Sequence, residues 1–122
     1  MIKKAFGHPR DAKQFAEWAQ WINYDGYRAI FEGRSEHRRG MLLWMSHSAW
    51  PSMVWQTYDY YFDPNAAYFG CKKASEPLHI QWNPLRDDIE VVNYHASDRT
   101  ELTATASLFN QDGTLQWTRE TI

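Results

Sequence analysis

The chain has 122 residues, a net charge of −2 and a pI near 6.2, which leaves no basic surface for nucleic acid and no polybasic patch for a membrane. No apolar run approaches the roughly 20 residues that cross a bilayer, the start Met-Ile-Lys-Lys-Ala-Phe-Gly-His-Pro lacks the apolar stretch of a signal peptide, and the single Cys71 excludes an internal disulfide. Aromatic residues make up 16% of a chain whose mean hydropathy is −0.69, so aromatic clusters inside or at an interface are expected beneath a polar surface.

In chain order, residues 11–32 predict an amphipathic helix. Phe15, Trp18, Ala19, Ile22, Gly26, Ala29 and Ile30 recur at spacings of three and four and form one apolar stripe. Asp11 with Gln14 predicts a capping box, and Gly33 is placed to end the helix in the left-handed conformation. Gly26, on the apolar face, predicts the close approach of another element.

After Arg38-Arg39-Gly40, the run Met41 to Met45 predicts a strand buried on both faces, as a parallel sheet requires. The following loop is broken by Pro51 and Pro64 and is dense in aromatics: residues 40–82 hold four of the seven tryptophans and four of the seven tyrosines. Such faces, with Ser, His, Gln and Asp between them, suit the C–H faces and hydroxyls of a sugar ring. A second helix is expected over residues 65–76, ended by Pro77. Helix, buried strand, long loop, helix is α/β logic.

The period then changes. Residues 89–94, 102–109 and 114–118 alternate apolar with polar or small side chains, with the turn Asn110-Gln111-Asp112-Gly113 between the last two. This predicts a three-strand β-meander, fewer than the roughly seven strands of an immunoglobulin-like sandwich. Asn83 to Asp87 is the boundary candidate. Both halves read as incomplete, so the chain is expected to be a piece of something longer.

With these residues placed, the chain resembles glycoside hydrolase family 2, in the branch of exo-β-D-glucosaminidases and β-mannosidases. The resemblance rests on Gly40 and Trp44, then Ser48-Ala49-Trp50-Pro51-Ser52, Trp55, Tyr58-Asp59-Tyr60-Tyr61, Tyr68-Phe69-Gly70, Lys72-Lys73-Ala74 and Glu76-Pro77-Leu78-His79, with Asn23 to Ala29 and Phe31-Glu32 upstream. It implies that residues 1–82 are the last one and a half units of a (β/α)8 TIM barrel, with the aromatic loop on the face that carries active sites. Residues 83–122 would be the first strands of an immunoglobulin-like β-sandwich. The family's nucleophile and acid/base carboxylates, about 5–5.5 Å apart in retaining glycosidases, would lie on strands upstream of Met1. No catalytic residue is therefore assigned, and the isolated chain is expected to be inactive.

The resemblance implies substrate-binding roles for Trp44, His47, Trp50 and Trp55. Trp44 would pack on the sugar ring where cleavage occurs; by position alone it is equally a barrel-core tryptophan. Of Trp50 and Trp55, one would line the pocket and the other support the loop. His47 stands where the family often has Asn, and both can hydrogen-bond a hydroxyl. No ligand spacing supports a metal, and no cofactor is expected. Asp59 is expected to orient its loop through backbone N–H groups, Glu76 to be structural, Lys72 and Lys73 to be solvated, and Cys71 to be a small core residue. His8, His37, His79 and His95 are given no role.

Three functions follow. The first is part of a retaining β-glycosidase acting on terminal β-linked glucosamine or mannose, its oligosaccharide or polysaccharide substrate. The second is a standalone carbohydrate-binding module. The third is a structural remnant that self-associates through open strand edges. Family resemblance suggests a secreted or periplasmic setting for the full-length protein.

Overall fold

Asp11 opens the long helix as its sequence predicts, with one change of partner. In the computed structural model, which describes residues 2–33, 40–52 and 56–121, helix α1 spans Ile2–Phe6 and helix α2 spans Ala12–Glu32. The Asp11 carboxylate accepts from the Gln14 backbone N–H at 2.8 Å, satisfying one orphan donor of the first turn. The Gln14 side chain reaches back to the Arg10 N–H at 2.8 Å rather than to Asp11, so the box closes one residue early. Gly7, at φ +85°, ends α1 in the left-handed region, and the Phe6 ring stacks on Trp18 with centroids 5.4 Å apart. This short helix has no counterpart among the predicted elements.

Helix α3, Ala66–Ala74, is capped by Asn65, whose side-chain oxygen accepts the Ala67 N–H at 2.9 Å. Its buried residues are Ala67, Gly70 and Ala74, one face at helical spacing. Small side chains there let α3 lie directly on α2. The Gln20 side chain caps Ala66 N at 2.8 Å, and a Cβ built on Gly70 would stand 2.4 Å from the Tyr24 carbonyl oxygen.

Helix α2 departs from its predicted form in three ways. At 3.6 residues per turn, Gln20, Tyr24 and Arg28 lie on the side of α2 opposite the predicted apolar stripe. No residue of α2 is buried, and Phe15 and Ile30 are 40% and 43% exposed. The stripe is real in the sequence, but among the described residues no element buries it, although the Phe6 ring stacks on Trp18. The close glycine approach belongs to Gly70, since Gly26 has open space around it. Gly33 takes φ −64° and ψ 73°, not the left-handed conformation, and its N–H closes the last turn onto Ala29 O at 2.7 Å.

The strand expected over residues 41–45 does not form. Residues 40–45 carry no regular structure, because a strand exists only where a neighbour takes its N–H and C=O groups, and among the described residues none does. Leu42 is 96% exposed, and the Trp44–Met45 peptide is cis. Among its described residues the regular structure before Leu78 is thus helical. Arg38, Arg39 and His37 lie outside the described residues.

The chain divides into two compact units, Met1–His79 and Ile80–Ile122. Four strands follow α3: β1 (Leu78–Asn83), β2 (Asp88–Asn93), β3 (Ala104–Phe109) and β4 (Leu115–Thr121). They form two separate hairpins, β1–β2 and β3–β4, not a meander. Ten residues separate β2 from β3, far more than a hairpin turn. The boundary candidate at residues 83–87 is the β1–β2 turn. Asn83 Oδ1 accepts from Leu85 N at 3.0 Å, Asp87 N donates to Asn83 O at 2.9 Å, and Asp87 sits at φ 58°. β3 and β4 are antiparallel, Ala104 opposite Thr121 and Leu108 opposite Trp117, with a register shift between Leu108 and Phe109 that skips Gln116 on β4. Within the second unit the two hairpins face each other across an open apolar groove of ≈ 400 Å³ lined by Ile80, Ile89, Val91, Ala104 and Ala106.

The β3–β4 turn forms as predicted: Gly113, at φ +85°, donates to Asn110 O at 3.0 Å. Asp112 accepts from both the N–H and the hydroxyl of Thr114, at 2.9 and 2.6 Å, and these bonds hold its carboxyl below the usual range. Its folded value lies below the unfolded one of about 3.9, so its contribution is fully present above that pH and is lost as pH falls through the folded value. NMR titration of Asp112 should show the depressed midpoint, and Thr114→Val should move it back up; an unmoved midpoint would refute the hydroxyl as its cause.

Candidate functional site

The aromatic loop is organised by Ser46 and Asp59. Ser46 O accepts from the N–H groups of Thr57 and Tyr58 at 3.2 and 2.9 Å and from the Thr57 hydroxyl at 3.0 Å. Tyr58 then bridges to Pro64, closing a tight turn. One oxygen of Asp59 accepts from the N–H groups of Tyr61 and Asp63 at 2.8 and 3.0 Å, the orienting role its sequence predicts. The turn holds Phe62 at φ 68°, and Asp59 N donates to Asp63 O at 3.0 Å. At its base, Asn65 Nδ2 donates to Gln56 O, and Gln56 and Thr57 are buried.

His47 is held against this turn. Its Nε2 lies 3.3 Å from Tyr60 O, and its ring stacks on Phe62 with centroids 4.2 Å apart and planes at 18°. Trp44 and Trp50 are 78% and 68% exposed. Trp55 lies outside the described residues. A separate groove of ≈ 590 Å³ runs between α2 and the loop, lined by Phe15, Gln20, Asn23, Tyr58, Asp59 and Asn65 among others. None of Trp44, His47 and Trp50 lines it. The Tyr58 ring packs on Tyr68 with centroids 5.2 Å apart, and burial, then Tyr68, pushes its hydroxyl up.

A second polar cluster was not legible in the sequence. The Glu32 carboxylate accepts from Arg28 Nε at 2.6 Å and from His79 Nε2 at 2.8 Å. The His79 side chain is wholly buried, and its Nδ1 lies 3.7 Å from Glu76. Glu76 in turn pairs with Lys73 at 2.8 Å, and the Lys73 hydrogen bond first, then His79, holds its carboxyl below the usual range. Lys73 is therefore tied down rather than only solvated. Glu76 and His79 brace the end of α3 and the start of β1 against α2. No spacing signal links Glu32 to a histidine 47 residues on. Cys71 is partly buried, and burial pushes its thiol up.

Among the described residues, no group of three His, Cys, Asp or Glu side chains could hold a metal, and no helix is long and apolar enough to cross a membrane.

The chain is similar to known enzymes over nearly its whole length. It is 38% identical over 120 residues to an exo-β-D-glucosaminidase of Amycolatopsis orientalis, covering 93% of this chain and 12% of that one. It is 40% identical over 119 residues to an exo-β-D-glucosaminidase of Streptomyces avermitilis, covering 92% and 13%. A mannosylglycoprotein endo-β-mannosidase of Lilium longiflorum is 34% identical over 113 residues, covering 89% and 12%. The crystal structure of the Amycolatopsis orientalis exo-chitosanase superposes with a TM-score of 0.88 at 36% identity, covering 98% of this chain and 15% of that one. This chain belongs to glycoside hydrolase family 2, with the exo-β-D-glucosaminidases and β-mannosidases. No family model matches it. The family 2 chain spans about an eighth of the length of these relatives, and its helices followed by antiparallel hairpins match that part of their fold.

Proposed function

We propose that this chain is part of a retaining β-glycosidase that hydrolyses terminal β-linked glucosamine or mannose. Residues 1–82 would form the last one and a half units of a TIM barrel, and residues 83–122 the first strands of an immunoglobulin-like sandwich. The observation that carries this is the similarity to exo-β-D-glucosaminidases across more than nine-tenths of the chain, in sequence and in fold. One solved relative is a complex with PNP-β-D-glucosamine, which favours the amino sugar. Trp44, His47, Trp50 and Trp55 would supply one wall of the sugar pocket, with the catalytic carboxylates contributed from outside these residues, so that the isolated chain is inactive.

The test is a graft. Residues 1–122, substituted for the matching segment of the Amycolatopsis orientalis enzyme, should preserve cleavage of an aryl β-D-glucosaminide. Trp44→Ala in that graft should lower kcat/KM by about ten- to a hundredfold, the scale of one lost stacking contact at 1.36 kcal/mol per decade. A graft that folds and cleaves equally well without the Trp44 ring would remove it from the sugar wall.

The second reading is a fragment that binds carbohydrate or self-associates without catalysis. The exposed α2 stripe and the open groove between the hairpins favour the self-associating form, since apolar surface of this kind is covered in a stable assembly. Sedimentation of the isolated chain tests the self-associating form: a monomer at all concentrations would end it.

A further inference from the structure

The Asp59 turn does more than hold a loop, because it meets His47 at two points. Tyr60, within the turn, offers its carbonyl oxygen to His47 Nε2 at 3.3 Å. Phe62, which the turn holds at φ 68°, lies flat on the imidazole at 4.2 Å. A carbonyl oxygen has no proton to give, so the nitrogen facing it must carry one. In the neutral ring the proton then sits on Nε2, and Nδ1 keeps its lone pair. Nδ1 has no hydrogen-bond partner among the described residues. The ring is therefore aimed and its tautomer selected by a turn whose own geometry depends on two N–H bonds to one Asp59 oxygen.

We infer that Asp59 is a positioning residue that holds His47 as its Nε2–H tautomer and so presents Nδ1 as a hydrogen-bond acceptor to a donor group of the sugar, an ammonium or a hydroxyl. This rests on the sugar wall proposed above and adds a specificity element to it. An amino sugar carries its nitrogen as a donor-only ammonium at neutral pH, and an aimed lone pair suits such a group. An Asn at this position can offer either its carbonyl or its amide, whereas the neutral ring held here offers the sugar only an acceptor, at Nδ1.

The experiment is long-range nitrogen–proton correlation NMR on the whole chain, with the exposed His95 as internal reference. The Nε2–H to Nδ1–H ratio of His47 should exceed that of His95 by about fivefold, the enrichment that one net hydrogen bond supplies. Asp59→Ala should bring the ratio down to that of His95, and Asp59→Asn should restore it, because the Asn oxygen can accept the same two N–H bonds. A purely structural role for Asp59 would not be reported by the tautomer. A wild-type ratio equal to that of His95 overturns the proposal, as does an unchanged ratio in Asp59→Ala with the Gly70 amide in its native position. If Asp59→Ala does not fold, the wild-type and Asp59→Asn ratios decide alone. Adding D-glucosamine separates this inference from the reading beneath it. Movement of Nδ1 together with the Trp44 and Trp50 indoles supports the acceptor role. Indole movement with Nδ1 still overturns it, and silence at both sites overturns the sugar wall itself.

Discussion

Gly70→Ala is expected to break the pairing of α2 and α3. The added Cβ would stand 2.4 Å from the Tyr24 carbonyl oxygen, 3.2 Å from its carbon and 3.1 Å from Arg28 N. All three are backbone atoms inside a 21-residue helix, so no flexible side chain can swing away and the helices themselves must separate. Overpacking costs about 1–3 kcal/mol where side chains can adjust, and the upper end, about 3 kcal/mol, is expected here. The matched control is Gly26→Ala, at an exposed position with nothing within 4 Å. Alanine there should stabilise the helix by about 0.5–1 kcal/mol. Urea unfolding followed by helical ellipticity should move the two midpoints in opposite directions. A Gly70→Ala midpoint at or above wild type would show that the two helices do not touch as described.

Glu32→Ala should be the second most damaging change, by about 2 kcal/mol. Glu32 is the acceptor for His79 Nε2 at 2.8 Å, and the His79 side chain has no solvent exposure. Removing the carboxylate leaves a buried N–H without an acceptor, a loss of about 1–3 kcal/mol. It also frees Arg28, which gives Glu32 a hydrogen bond at 2.6 Å. Glu32→Gln keeps a carbonyl oxygen for His79 and should recover at least half of the loss. Glu17→Ala, which removes an exposed pair with Lys13 at 4.0 Å, should change little, as surface pairs do. Equal unfolding midpoints for Glu32→Ala and Glu17→Ala would mean that the cluster does not brace the helix end.

The limits of the sequence show at particular residues. Asp11, Asp59 and the Asp112-Gly113 turn were readable because each acts on backbone groups two to four residues away. The apolar stripe from Phe15 to Ile30 was readable as a pattern, yet which side of α2 meets α3 was not. That choice followed the small residues Ala67, Gly70 and Ala74, which admit a closer approach than any bulky stripe. Strand β1 escaped notice because its burial runs against its hydropathy: His79 and Gln81 are buried while Ile80 and Trp82 are 40% and 53% exposed. Of the candidate sugar-binding residues, Trp44 and Trp50 are exposed and His47 is pinned by Tyr60 and Phe62.

The sequence by itself determined where the two longer helices begin, where the last hairpin turns, and which family the ordered string from Gly40 to His79 resembles. These depend on caps, glycine conformations and a linear order of residues, all of them local or written in the chain. Tertiary structure alone decided that Gly70 rather than Gly26 is the contact glycine, that residues 41–45 form no strand without a partner, and that Glu32 and His79 meet across 47 residues. Each of those depends on what lies opposite a residue in space, and a periodic pattern names the face that can be buried without naming the neighbour that buries it.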